Sequence, residues 1–182
     1  SSGPVLAIRR DLIPKMVDTV GEDCLLPLEV VSRGFLMKHQ DTALAYDRMD
    51  DDVSQELRTR ARMTQRNWQG TWMYPQLLNP FKNFKVAVGL WSHKLLRWLS
   101  PIFLIMWVSA SFFIVTQPST ENVWFIVLLL ANLGVCFFIL GLAGALLHLM
   151  GRRLVGISFV WAFWLANLGF LLGIWNAMLG NK

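Results

Sequence analysis

From Leu99 to the end of the 182-residue chain only four residues carry a formal charge: Glu121, Arg152, Arg153 and Lys182. That scarcity constrains the fold more than any other feature. A hydrocarbon layer about 30 Å thick calls for runs of about 20 apolar residues, and three such runs are present, about 99–116, 123–147 and 154–179. The first has 18 residues, about 27 Å of helix at 1.5 Å per residue, which spans with help from its flanks. The other two are long enough to tilt. No charge lies inside a run to mark an ion path, which argues against a transport subunit. Asn132, Asn167 and Asn176 are expected to bond between helices, and Gly141, Gly144, Gly169 and Gly173 to allow close packing.

Ahead of Leu99 the chain has a different character, with 14 basic and 11 acidic residues. The expected organisation is therefore a soluble part (1–75), an interfacial amphipathic segment (76–98) and a three-helix membrane region (99–182). In the middle segment Phe81, Phe84, Trp91 and Trp98 alternate with Lys82, Lys85, Lys94 and Arg97, a mixture suited to the headgroup layer. Lys94 and Arg97 precede the first run, and Arg152 and Arg153 separate the second from the third. The positive-inside rule then puts the soluble part in the cytoplasm of an inner-membrane protein, with the C-terminal tail outside. The net charge of +5 suits membrane lipids or an anionic substrate. No nucleic-acid motif accompanies it, so nucleic acid is not an expected partner. Cys24 and Cys136 fall in different parts and are not expected to pair, which fits a reducing compartment. The N-terminus has no basic region leading into an apolar run, so no signal peptide is read there.

The soluble part reads as α/β. Strands are expected at Val5–Ile8, Phe35–Gln40 and Ala43–Tyr46, and a short helix and loop over Asp11–Val20. A helix is expected over Cys24–Ser32, stopped by Gly34, with Pro27 tolerable if the helix begins within a residue or two of it. Asp52 and Gln55 make a capping box for a helix from Val53 to about Tyr74, with Glu56 and Arg60 paired at i, i+4. On that helix Arg58, Arg62 and Arg66 share one face with Gln65 and Gln69, beside a less polar stripe of Leu57, Ala61, Thr64 and Trp68. Guanidiniums in a row could meet a diphosphate, because each offers a planar fork and keeps its charge; the plainer reading is a solvated helix face. Glu22-Asp23 after Gly21 is likewise either an acidic helix start or a pair of reactive carboxylates.

The order of these pieces is informative. Ser2-Gly3-Pro4 with Ala7-Ile8-Arg9-Arg10 comes first, then Gly21-Glu22-Asp23. Arg60-Ala61-Arg62-Met63 and Arg66-Asn67-Trp68-Gln69-Gly70 follow, and Ser92-His93-Lys94 with Leu96-Arg97-Trp98 precedes the first apolar run. The series resembles the C-terminal half of membrane-anchored family 2 glycosyltransferases. The resemblance implies the C-terminal part of a GT-A-like domain and an inverting transfer from a nucleotide-diphospho-sugar donor to a lipid-linked or saccharide acceptor, in cell-surface polysaccharide or glycolipid synthesis. Asp23 is then the catalytic base, with Glu22 beside it. Arg62 and Arg66 meet the diphosphate, and Asn67, Trp68 and Gln69 serve the acceptor side. Processive members carry Q-x-x-R-W; here Thr64-Gln65-Arg66-Asn67-Trp68 puts Thr and Asn at the Gln and Arg positions, which implies single-sugar addition. The family also implies Mg or Mn, held by a D-x-D upstream of the base. That motif is not in this chain, and Asp50-Asp51-Asp52, placed after the base, reads as an acidic loop and helix cap, so no metal ligand is assigned. With about 20 residues ahead of Glu22, the chain is expected to be the C-terminal part of a longer enzyme, inactive without its donor-binding half. A non-catalytic, membrane-anchored interaction module is the alternative.

Overall fold

The computed structural model describes residues 5–38, 40, 42–46, 53–116, 125–152 and 154–180. Among the described residues there are six α-helices, in order α1 (Glu22–Ser32), α2 (Val53–Trp72), α3 (Phe84–Leu90), α4 (Leu96–Thr116), α5 (Phe125–Leu149) and α6 (Val155–Met178). Short 3-10 turns lie at Arg10–Leu12 and Pro75–Leu78, and a π-helical turn at Trp91–Leu95 joins α3 to α4. Among the described residues there is no strand, so the α/β expectation is corrected to an all-helical fold. A strand must place its backbone N–H and C=O groups on a neighbour. Val5–Ile8 alternates exposed and half-buried residues, yet no strand lies beside it. The described residues of Phe35–Gln40 and Ala43–Tyr46 are all exposed, so neither segment has a buried face to fix a register. The helix expected within Asp11–Val20 shrinks to the 3-10 turn, because Pro14 holds Ile13 extended at ψ 117°. The Asp50–Asp52 part of the proposed cap, Ser2–Pro4 and the first interhelical connection lie outside the described residues.

α1 begins at Glu22, earlier than expected, so Pro27 sits inside the helix and removes one ladder bond. Its far end is a full Schellman cap. Gly34 adopts φ +83°, its N–H donates to Val31 O at 3.0 Å, and the Phe35 N–H donates to Val30 O at 3.1 Å. The apolar side of α1 supplies Cys24, Leu25 and Leu28 to a core completed by Val20, Tyr74 and Leu77, with Val31, Val86 and Leu90 packed against it. Gly70 lets α2 approach α1 and the turn ahead of it closely, since a Cβ there would lie 3.3 Å from Cys24 Sγ and 2.6 Å from Val20 Cγ1. Glu56 and Arg60 pair as expected, at 2.6 Å.

The chain divides into two compact units, Ser1–Trp98 with Leu172–Lys182, and Leu99–Leu171. The interfacial segment therefore belongs to the first unit, as does the end of α6. There, a Cβ on Gly173 would lie 2.6 Å from both Ala61 O and Thr64 Cβ on α2. In the second unit small residues let the helices meet. Gly134 faces Ser111 and Trp107, Gly141 lies under Trp164, and Gly144 under Trp161. Phe137 sits among Trp107, Phe163 and Trp164 at centroid distances of 5.7–6.1 Å. Ser100 Oγ donates to Asn167 Oδ1 at 2.6 Å, an interhelical bond as expected, whereas Asn132 donates to Leu128 O of its own helix. Lipid tails are as apolar as leucine, so close packing and bonds of this kind are what hold such helices together. Three helical runs, Phe84–Thr116, Phe125–Leu149 and Val155–Met178, are long and apolar enough to cross a membrane, which makes this an integral membrane protein.

Candidate functional site

The acidic turn and the arginine helix meet in the first unit. Gly21 is the N-cap of α1, and its carbonyl accepts from Cys24 N at 3.0 Å and Leu25 N at 2.9 Å. Glu22 and Asp23 occupy the first helical turn, where the helix dipole favours carboxylates, and both are exposed. A Cβ at Gly21 would run into the Asp23 carboxylate and would lie 3.7 Å from Asn67 Oδ1. Glycine thus leaves room for the acid, and Asn67 of α2 borders the same turn. Cys24, the next residue, is buried with its Sγ 3.7 Å from Asn67 O and 3.9 Å from Thr71 Oγ1; Lys94 Nζ approaches that sulfur to 3.4 Å.

Arg66 braces the loop that leads into the turn. Its Nη2 donates to Val20 O at 2.9 Å and to Asp18 O at 3.4 Å, and its Nε is buried without an acceptor among the described residues. Arg62 and Arg58 are exposed. Trp68 turns to other aromatics, edge-on to Trp72 at 5.8 Å and tilted on Trp98 at 6.1 Å. Gln69 is half-buried, and its Oε1 has no partner among the described residues. The structure therefore sets Arg66 and Asn67 against the Asp18–Gly21 turn that leads into Glu22 and Asp23. It leaves Arg62 open to solvent and sends Trp68 into an aromatic cluster.

Below this site Tyr74 Oη donates to Glu29 Oε2 at 2.7 Å, and Arg33 holds the other oxygen at 2.6 Å. The bond from Tyr74, aided by Arg33, holds the Glu29 carboxyl below its usual range. Burial, together with the bond to Glu29, pushes the Tyr74 hydroxyl up to about 12. The network ties α1 to the chain that follows α2.

The sequence marks Lys94 as a membrane-side cation and does not bring it to Cys24, and it does not mark Thr71 or the Val20 and Asp18 carbonyls. Main-chain acceptors leave no mark on a sequence. Gly70, inside a helix where glycine is costly, is the one signal that α2 packs closely on something. Among the described residues no group of three His, Cys, Asp or Glu side chains is placed to hold a metal ion. The chain matches no family model, and searches of curated proteins and of solved structures find no match.

Proposed function

We propose that these residues form the acceptor-side and membrane-anchoring part of an inverting, non-processive glycosyltransferase acting at the cytoplasmic face of the inner membrane. What supports the reading above all is the bond from Arg66 to Val20 O. It fixes the half-buried pair Arg66-Asn67 beside the turn that leads into the exposed pair Glu22-Asp23. In this reading Asp23 takes the proton of an acceptor hydroxyl as its oxygen attacks the anomeric carbon. The bond from that carbon to the diphosphate breaks on the opposite side, and charge develops on the leaving group. In this reading Arg62, which is open to solvent, meets that charge. Arg66 holds the turn that carries the base, and Asn67 borders the acceptor. The described residues do not fit a divalent metal, so no step is routed through one.

The test is Asp23→Asn in protein expressed from its complete reading frame and assayed in membranes with a panel of nucleotide-sugars. Transfer should fall about 10³-fold, within the range for general-base help, with the melting temperature unchanged. Near-normal transfer by the variant removes Asp23 as the base. A wild-type protein that uses no nucleotide-sugar is instead a membrane-anchored interaction module.

A further inference from the structure

The segment ahead of α4 holds large apolar side chains outward by rigid means. Asn79 pins the turn: its Oδ1 accepts from Phe81 N at 2.9 Å, and its carbonyl accepts from Lys82 N at 3.2 Å and Asn83 N at 3.1 Å. Phe81 is thereby 97% exposed and Phe84, at the start of α3, 69% exposed. Val88 and Trp91 follow Phe84 at i+4 and i+7 and are exposed as well, Trp91 with its Nε1 donating to Leu78 O at 3.1 Å, so the three share one face, with Phe81 exposed in the turn ahead of them. The helix packs inward beside this stripe through Ala87, Leu95 and Trp98, with Val86 and Leu90 against the core. The π-helical turn at Trp91–Leu95 makes both faces possible. In an unbroken α-helix Leu95 would extend the outward stripe. The extra residue in the turn rotates it inward and leaves Leu96 exposed in its place.

Two further observations say what covers the stripe. Phe84–Thr116 is one helical run of 33 residues, about 50 Å long at 1.5 Å per residue, against about 30 Å of hydrocarbon. Its first turns are therefore continuous with a membrane span and close to the membrane surface. The charge there has one sign: between Glu56 and Glu121 the sequence has no acidic residue and eight basic ones. Of these, Lys82 and Lys85 flank the stripe and are exposed.

We propose that Phe81, Phe84, Val88 and Trp91 rest at the acyl boundary of an anionic leaflet, with Lys82 and Lys85 on the phosphates of its lipids. Aromatic side chains favour that layer, and each lysine near an anionic surface is worth about a fivefold gain in the docked population. The inference does not depend on sugar transfer.

The full chain in lipid nanodiscs provides the test. An environment-sensitive fluorophore is placed on Phe81→Cys in a Cys136→Ser background, Cys24 being buried. A second label on Val88→Cys leaves Phe81 in place. In discs containing phosphatidylglycerol both labels should emit as from an apolar medium and be quenched by brominated lipid. Lys82→Gln and Lys85→Gln should each lower the docked population about fivefold, and 1 M salt should do the same by screening. Water-like emission from both labels in every disc overturns the proposal. So does equal immersion in discs of phosphatidylcholine alone, which would leave an apolar contact indifferent to headgroup charge.

Discussion

Arg62 and Arg66 lie one turn apart on α2 and are chemically alike, yet their surroundings give them different work. Arg66 donates to two loop carbonyls, and hydrogen bonds from charged groups are worth about 1.5–3 kcal/mol. Arg66→Ala should therefore lower stability by that amount. Lysine should restore only part of it, because an ammonium lacks the fork that reaches two acceptors. Arg62 is exposed, so Arg62→Ala should change stability by no more than about 0.5 kcal/mol. Its effect belongs in turnover, a loss of roughly tenfold or more if it meets the diphosphate. Melting curves and steady-state kinetics on both variants separate the two roles; an inert Arg62→Ala returns that side chain to a solvated face. Tyr74 gives a pH signature. Its folded value is raised to about 12, so its contribution is complete below its ordinary value of 10.0 and is lost as pH rises through 12. Glu29 is shifted the other way: its contribution is present above its ordinary value of 4.5 and is lost as pH falls through the lowered folded value. Tyr74→Phe should cost about 1.5–3 kcal/mol near neutrality and flatten the stability profile at both ends. Equal stability of Tyr74→Phe and wild type near neutrality, with the same denaturation profile toward both pH extremes, would show that the bond contributes nothing.

Between elements the decisive residues are the glycines. Gly173 and Gly89 are both helical, but a Cβ at Gly173 would lie 2.6 Å from Ala61 O and from Thr64 Cβ, while one at Gly89 would meet nothing within 4 Å. Gly89→Ala should stabilise by about 0.5–1 kcal/mol, the helical advantage of alanine. At Gly173 that gain competes with about 1–3 kcal/mol of overpacking, and because one neighbour is backbone it cannot rotate away. Gly173→Ala should therefore destabilise, with Gly173→Leu worse. Stabilisation by both alanines in thermal melts would mean that α6 does not pack on α2 in the membrane.

For the whole molecule, the same packing bears on sidedness. Three full crossings would carry the C-terminal tail across the membrane from the soluble part. Yet Trp98 packs on Trp68 of α2, and Gly173 packs on Ala61 and Thr64 of the same helix. The end of α6 thus belongs with α2 in the first unit. A reporter fused after Lys182 is expected on the same side as one inserted in the exposed segment 43–46. Reporters on opposite sides would restore three crossings and the tail position read from the charge pattern.

The three apolar runs were legible in the sequence because the hydrocarbon thickness sets their length and tolerates little charge. α2 was legible through its pairing of Glu56 with Arg60 and its regular stripes, and the end of α1 through Gly34, whose positive φ suits glycine. The expected strands failed for the opposite reason. A strand exists only beside another, and nothing within Val5–Ile8 or Ala43–Tyr46 says whether a neighbour is present. The site divides in the same way. Glu22, Asp23 and the arginines could be singled out by type and spacing. That Arg66 braces the turn, that Trp68 joins Trp98, and that Lys94 reaches Cys24 across 70 residues were decided by packing alone, because carbonyl acceptors and distant partners enter only when the chain is folded.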